Sequence, residues 1–382
     1  MEKQPWHSHI WELCDVYKYS VRGQWVDYSK DNDPFGDIWA FGGVYFNTCG
    51  GHGTYPSPVK FPGQWIDIQY ADRQGFMARK ADCSVWSWGR YNQCGNFGVP
   101  CSVEYISSPT QIPGRWKKYW LGIGIDTDDN LWTWGEAGHL GNNTNAPSLS
   151  MVQIPGKWLD FNRNWCGLGR ITGAIKSDCS LWMWGNSCSL HYALCGIATV
   201  ADSPVKIPGS WKSVCLSVHG DSVIALKNNC TLWAWGRGDR GVLGNGSTTP
   251  TTSPIQIPGN WKCAVTTVSD SVYGIRNNDN NRLWGWGCSF VPPPNPPVLR
   301  SSPVIINGWC WATICSDAGR LKGKIEGCDS RWYFHVISGT HLGYNVYYPC
   351  NNNIVFGCPA PTCQFEDYKF STNGGATLFI NR

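Results

Sequence analysis

KSDCSLWMWG, residues 176–185, decides how this chain folds. A polar turn precedes an alternation in which Leu181 and Met183 face one way and Trp182 and Trp184 the other, the two-residue period of a strand. The stretch leading into it, GAIKSDC from Gly173, has counterparts in VIALKNNC from Val223 and FMARKADC from Phe76. A turn at Asp178 and Cys179, at Asn229 and Cys230, and at Asp82 and Cys83 therefore joins two antiparallel strands into a hairpin.

Outward from this stretch the pattern repeats. W-x-W-G stands at 86–89, 132–135, 182–185, 233–236 and 284–287, with weaker forms at 39–42 and 332–335. Each is preceded by a tryptophan after a Gly-x pair: RGQW ending at Trp25, PGQW at Trp65, PGRW at Trp116, PGKW at Trp158, PGSW at Trp211, PGNW at Trp261 and NGW at Trp309. We number these repeats 1 to 7. The six intervals from Trp25 to Trp309 give a period of about 47 residues, in the range of a four-stranded propeller blade. A large flat indole at a fixed place in every repeat suits the wedge between neighbouring sheets.

The expected fold is all-β, a seven-bladed β-propeller over 1–335 with a C-terminal extension at 336–382. That extension is a cap, an insertion in or completion of the closing blade, or an arm that contacts a partner. The Pro-Gly before each Gly-x-Trp tryptophan places a turn between an edge strand and the following blade. The first of these tryptophans, Trp25, has no blade before it, so residues 17–23 are expected to complete the last blade, closing the ring and covering the sheet edges.

DDNLWTWGEAGHLG at 128–141 and NNCTLWAWGRGDRGVLG at 228–244 resemble the regulator-of-chromosome-condensation repeat, whose sevenfold propeller carries D-G-x-L-W-x-W-G hairpins and G-x-L-G loops. The resemblance spans roughly 25–335. It implies the fold and is almost silent about activity, since one propeller serves many functions. The tryptophan-rich form with S-P-x-Q-I-P-G-x-W linkers looks like versions common in bacteriophage and bacterial surface proteins. Two departures argue against a nuclear exchange factor. Cys83, Cys179 and Cys230 replace the family's turn glycine, and no basic tail opens the chain.

A net charge of +4 with 15% charged residues gives too little basic excess for nucleic-acid binding. No run approaches a membrane span, and the start, MEKQPWHSHIWELC, lacks an apolar leader. The 19 cysteines pull the other way, toward an oxidising setting. A protein made in the cytosol and later exposed, as on a virus particle, satisfies both observations; many buried thiols would also do so.

Cys94 and Cys101 are seven apart in the loop after Gly89, and Cys188 and Cys195 repeat that spacing after Gly185. These are candidate disulfides, as are Cys310 with Cys315 and Cys358 with Cys363. No C-x-x-C pair exists, so no metal is expected. His7 and His9 read as surface residues. Asp126, Asp128 and Asp129 lack the glycine and distal glutamate of a calcium loop and read as a turn. No nucleophile elbow, phosphate loop or metalloprotease helix is present, and neither catalysis nor a cofactor is expected.

Packing does not demand variation, so the segments that differ between repeats point to function. These are the loops after W-x-W-G, where the candidate contact residues are Tyr91, Tyr105, His191, Tyr192, Arg237, Asp239, Arg240, Pro293 and Pro294. The expectation is a non-enzymatic propeller displayed on a virion or cell surface. Its partners would be a protein, other virion proteins included, or a host-surface glycan. The rival is a cytoplasmic protein-binding propeller of exchange-factor or inhibitor type.

Overall fold

Every element among the described residues of the computed structural model is a β-strand, and every pairing is antiparallel. The structure describes residues 36–42, 55–71, 75–90, 105–138, 140–163, 170–186, 200–217, 222–266, 271–290, 298–317, 320–325, 332–335, 369–373 and 376–380. They fall into two compact parts, Met1–Trp116 with Pro349–Arg382, and Lys117–Tyr348.

The predicted hairpin is the centre of each sheet. In repeat 4, Arg170–Lys176 pairs with Leu181–Asn186, Ile175 opposite Leu181, with Trp158–Arg163 on one side and Val200–Ile207 on the other. Repeat 5 has the same order in Trp211–Leu216, Ser222–Lys227, Leu232–Gly236 and Thr251–Ile257. So does repeat 3, in Trp116–Trp120, Ile123–Asp126, Leu131–Gly135 and Ser148–Ile154. Repeats 6 and 7 are joined because Val298–Asp317 is continuous. Ile305 of that strand lies opposite Trp284 of repeat 6, and Trp311 opposite Ile325 of repeat 7. Four strands per repeat is the blade pattern; repeat 7 has three among the described residues.

In the first part, Tyr55–Ala71 likewise runs through two repeats, pairing with Gly36–Gly42 in repeat 1 and Gly75–Lys80 in repeat 2. The other edge of Gly36–Gly42 is taken by Ala376–Ile380, which itself pairs with Lys369–Asn373. Phe379 lies opposite Trp39 and Leu378 opposite Ala40, as Ala225 and Ile224 lie opposite Trp233 and Ala234 in repeat 5. The C-terminal hairpin thus occupies the first and second strand places of the repeat 1 sheet. Residues 17–23 lie outside the described residues.

The core is built on the repeat tryptophans. Trp158, Trp184, Trp211, Trp235, Trp261 and Trp286 are all buried, and repeats 4, 5 and 6 each pair the first-strand indole with the second indole of W-x-W-G. Ring centroids are 6.0 Å apart for Trp158 and Trp184, 5.9 Å for Trp211 and Trp235, and 5.5 Å for Trp261 and Trp286. Tilted and edge-on pairs of this kind add to the gain from area buried. Leu181, Met183, Leu232 and Ala234, on the opposite face of the same strands, are also buried, so the sheets are covered on both faces.

Candidate interaction face

At one end of each sheet lie the hairpin turns. Cys83, Cys179, Cys230 and Asp129 all adopt φ of 64 to 66°, the left-handed region that the family fills with glycine. The conformation has a use. The carbonyl of Cys83 accepts the backbone N–H of Trp116, Asp129 that of Trp158, Cys179 that of Trp211 and Cys230 that of Trp261, each at 2.8 Å. Asp129, Cys179 and Cys230 therefore hold the first strand of the next repeat.

The same turns are braced by a relay. Asp178 accepts the backbone N–H and hydroxyl of Ser180, and Ser180 accepts the indole N–H of Trp182 at 2.8 Å. Asn229, Thr231 and Trp233 repeat the arrangement. The Ser180 hydroxyl bond holds the Asp178 carboxyl below its ordinary value. Beside each relay a cation sits between two indoles. Lys176 Nζ lies 5.0 Å from Trp158 and 4.3 Å from Trp182, Lys227 Nζ 5.1 Å from Trp211 and 3.8 Å from Trp233. Arg276 lies 4.6 Å from Trp261 and 3.8 Å from Trp284, and Lys80 spans Trp65 and Trp86 in the same way. Cation–π attraction of about 0.5–2 kcal/mol per contact is the expected scale.

Repeat 3 departs from this. Asp126 occupies the cation's place, and its carboxylate accepts the Trp132 indole N–H at 2.8 Å, the Asn130 amide at 2.9 Å, and the backbone N–H groups of Asp128 and Asn130. Burial would raise its pKa, but the four hydrogen bonds outweigh burial and the net direction is down. With both oxygens occupied, this is a turn brace, not a calcium ligand.

The other end of the sheets carries the loops after W-x-W-G. Two are described in almost their full length, and both are fixed at the root. In repeat 3 the buried Leu140 gives its carbonyl to the Thr133 hydroxyl at 2.7 Å; in repeat 5 Val242 and Leu243 are buried, and the Val242 carbonyl accepts the Trp286 indole N–H at 2.7 Å. The glycines of G-x-L-G permit this approach. A Cβ on Gly141 would stand 2.6 Å from Trp184 Nε1, and one on Gly244 2.7 Å from Trp286 Nε1. Asn143 donates its backbone N–H to Asp202 and Gly246 to Ser301, so each loop leans on the fourth strand of the following repeat. Arg163, buried nearby, bonds the Thr172 hydroxyl and the Leu121 carbonyl; burial lowers its pKa to about 9.

The tips differ from the roots. Arg237, Asp239 and Arg240 are exposed, and Arg237 pairs with Asp239 at 2.7 Å. Tyr105 begins a strand opposite Arg90. Tyr91, His191, Tyr192, Pro293 and Pro294 lie outside the described residues, as do Cys94, Cys101, Cys188, Cys195, Cys358 and Cys363. The expected Cys310–Cys315 disulfide needs correction. Both residues lie in the continuous strand Val298–Asp317, Cys310 opposite Arg282 and Cys315 opposite Lys322. Five residues of extended chain separate their Cα atoms by about 16 Å, where a disulfide requires less than about 7 Å. Cys83, Cys179, Cys215, Cys230 and Cys263 are free thiols. Burial pushes Cys215 up to about 12, so it stays protonated at neutral pH.

The sequence reading missed the cation sandwiches. Lys stands three residues before the turn cysteine in KADC, KSDC and KNNC, a constant spacing that was the available signal.

Comparison with known proteins agrees with this architecture. The "Regulator of chromosome condensation (RCC1) repeat" pattern matches residues 231–270. The "Ultraviolet-B receptor UVR8" of Arabidopsis thaliana is 25% identical over 192 residues, covering 46% of this chain and 42% of that protein. The chain therefore matches well under half the length of this relative. Among solved structures, human WBSCR16 superposes with a TM-score of 0.64 at 12% identity, over 91% of this chain and 99% of that one. Yeast RCC1 (Prp20), solved bound to Kap60, gives a TM-score of 0.44 at 12% identity over 86% and 95%. The fold is that of an all-β propeller. Residues 231–270 thus match an RCC1 repeat within that fold.

Proposed function

We propose that this chain is a non-catalytic RCC1-like binding module, presented on a virus particle or cell surface, that takes a protein partner or a surface glycan on its loops after W-x-W-G. One observation carries the reading: buried residues such as Leu140, Val242 and Leu243 fix the loop roots, while tips such as Arg237, Asp239 and Arg240 stay exposed. Rigid roots with variable tips suit recognition. A relative that is a receptor by name is in keeping with a binding role.

Two measurements test the reading. Mass spectrometry of purified particles or surface fractions should contain the chain; its absence sinks the placement. Arg237→Ala, Asp239→Ala and Arg240→Ala combined should abolish partner capture while leaving Tm unchanged, and undiminished capture would move the contact elsewhere. A second reading, an intracellular protein-binding propeller, is favoured by the free thiols Cys83, Cys179, Cys215, Cys230 and Cys263. It requires the chain to be confined to the cytosolic fraction.

A further inference from the structure

Asn142 and Asn245 hold the same place in two repeats, directly after the G-x-L-G glycines Gly141 and Gly244, and each has a hydroxyl residue two positions on, Thr144 and Ser247. Asn-x-Ser/Thr with x other than proline is the acceptor pattern for N-linked glycan transfer. The local geometry is also shared. Asn142 Oδ1 accepts the backbone N–H of Thr144 at 3.3 Å and its hydroxyl at 3.1 Å, and Asn245 Oδ1 accepts the backbone N–H of Ser247 at 3.1 Å. In both loops the amide oxygen is turned to the chain, and Nδ2 makes no hydrogen bond among the described residues. Asn245 is exposed, Asn142 is half-buried, and residues 143–147 and 248–250 around them are exposed. The roots beneath are buried, so a bulky group on Nδ2 projects from a fixed base and displaces no packed side chain.

We infer that Asn142 and Asn245 are N-glycan acceptors. In the transfer, Nδ2 bonds to C1 of a glycan carried on a polyprenyl pyrophosphate, the C1–O bond to the pyrophosphate breaks, the lipid pyrophosphate leaves, and the amide proton passes to the transferase. A third triplet, Asn229–Cys230–Thr231, is excluded. Its turn is closed by Cys230 N–H on the Lys227 carbonyl and Lys227 N–H on the Thr231 carbonyl, and the Thr231 hydroxyl accepts the Trp233 indole. Spontaneous loss of the Asn245 amide is disfavoured, because the Gly246 N–H that would attack it is bonded to the Ser301 carbonyl.

The inference rests on the form of that reading in which the chain reaches the surface through a secretory compartment, where it meets the transferase, and not on exposure of a cytosolic chain, but it fails separately from it. The full chain is purified from its source and treated with peptide N-glycosidase in heavy-oxygen water, beside an enzyme-free control. Heavy-oxygen aspartate is expected at positions 142 and 245 and not at 229. In Thr144→Ala and Ser247→Ala the label should vanish at the affected site alone, with Tm unchanged. Unlabelled protein in the surface fraction overturns the acceptor assignment and leaves the placement standing. A chain found only in the cytosol, unlabelled, overturns both.

Discussion

The two ends of the sheets obey different rules. At the turn end the backbone holds the next repeat and the side chains hold their own: the carbonyls of Cys179 and Cys230 bind Trp211 and Trp261, while Lys176 and Lys227 are clasped between indoles of repeats 4 and 5 themselves. At the loop end the obligation stops at the root, where Gly141 and Gly244 admit the indoles of Trp184 and Trp286, and lapses a few residues further on. A change at the turn end propagates between repeats, whereas a change at a loop tip stays local.

The largest test of this contrast is Trp211→Ala, which removes an indole buried against Trp235 and bonded through its backbone to Cys179. Urea denaturation should show a loss of about 3–5 kcal/mol; a loss below about 1 kcal/mol would contradict the role given to the repeat tryptophans. Gly244→Ala should cost about 1–3 kcal/mol, because φ is +65° and the added Cβ meets Trp286. That would place the loop root with the turn end. Cys179→Gly should stabilise by about 1 kcal/mol by relieving the left-handed backbone, whereas Cys179→Val should destabilise; equal Tm values would remove the strain argument.

Repeat 3 sharpens the comparison through pH. Asp126 has its pKa held below the ordinary 3.8, so its contribution is present above that value and is lost as pH falls through the depressed folded-state value. Tm of the wild type should therefore fall more steeply than that of Asp126→Asn on acidification below about pH 4; parallel curves would refute it. The smallest effect belongs to the tips. Asp239→Ala should shift stability by less than about 0.5 kcal/mol, because its pair with Arg237 is half exposed.

Much of this was legible in the chain. The period-two alternation in LWMWG and the polar KSDC before it gave the hairpin and its place in the sheet, because strand faces and turn chemistry are local properties. The cation sandwiches were not read, since a lysine before a turn looks solvated unless the indole of another strand is known to lie over it. Nor was the place of 369–380, although Asn373 and Gly374 between two alternating runs are a hairpin signal. Its partner, Gly36–Gly42, is more than 300 residues away, and nothing local names a partner at that distance. The Cys310–Cys315 pairing failed because spacing along a chain does not say whether that chain is folded back or drawn out.

The hairpin Lys369–Ile380 also sets the order of folding. A ribosome releases the segment containing Gly36–Gly42 more than 300 residues before the strand that covers its edge. Until Ala376–Ile380 has been made, that ladder ends in unclaimed amide and carbonyl groups. A chain stopped before Lys369 would keep them bare and be prone to seek a foreign strand.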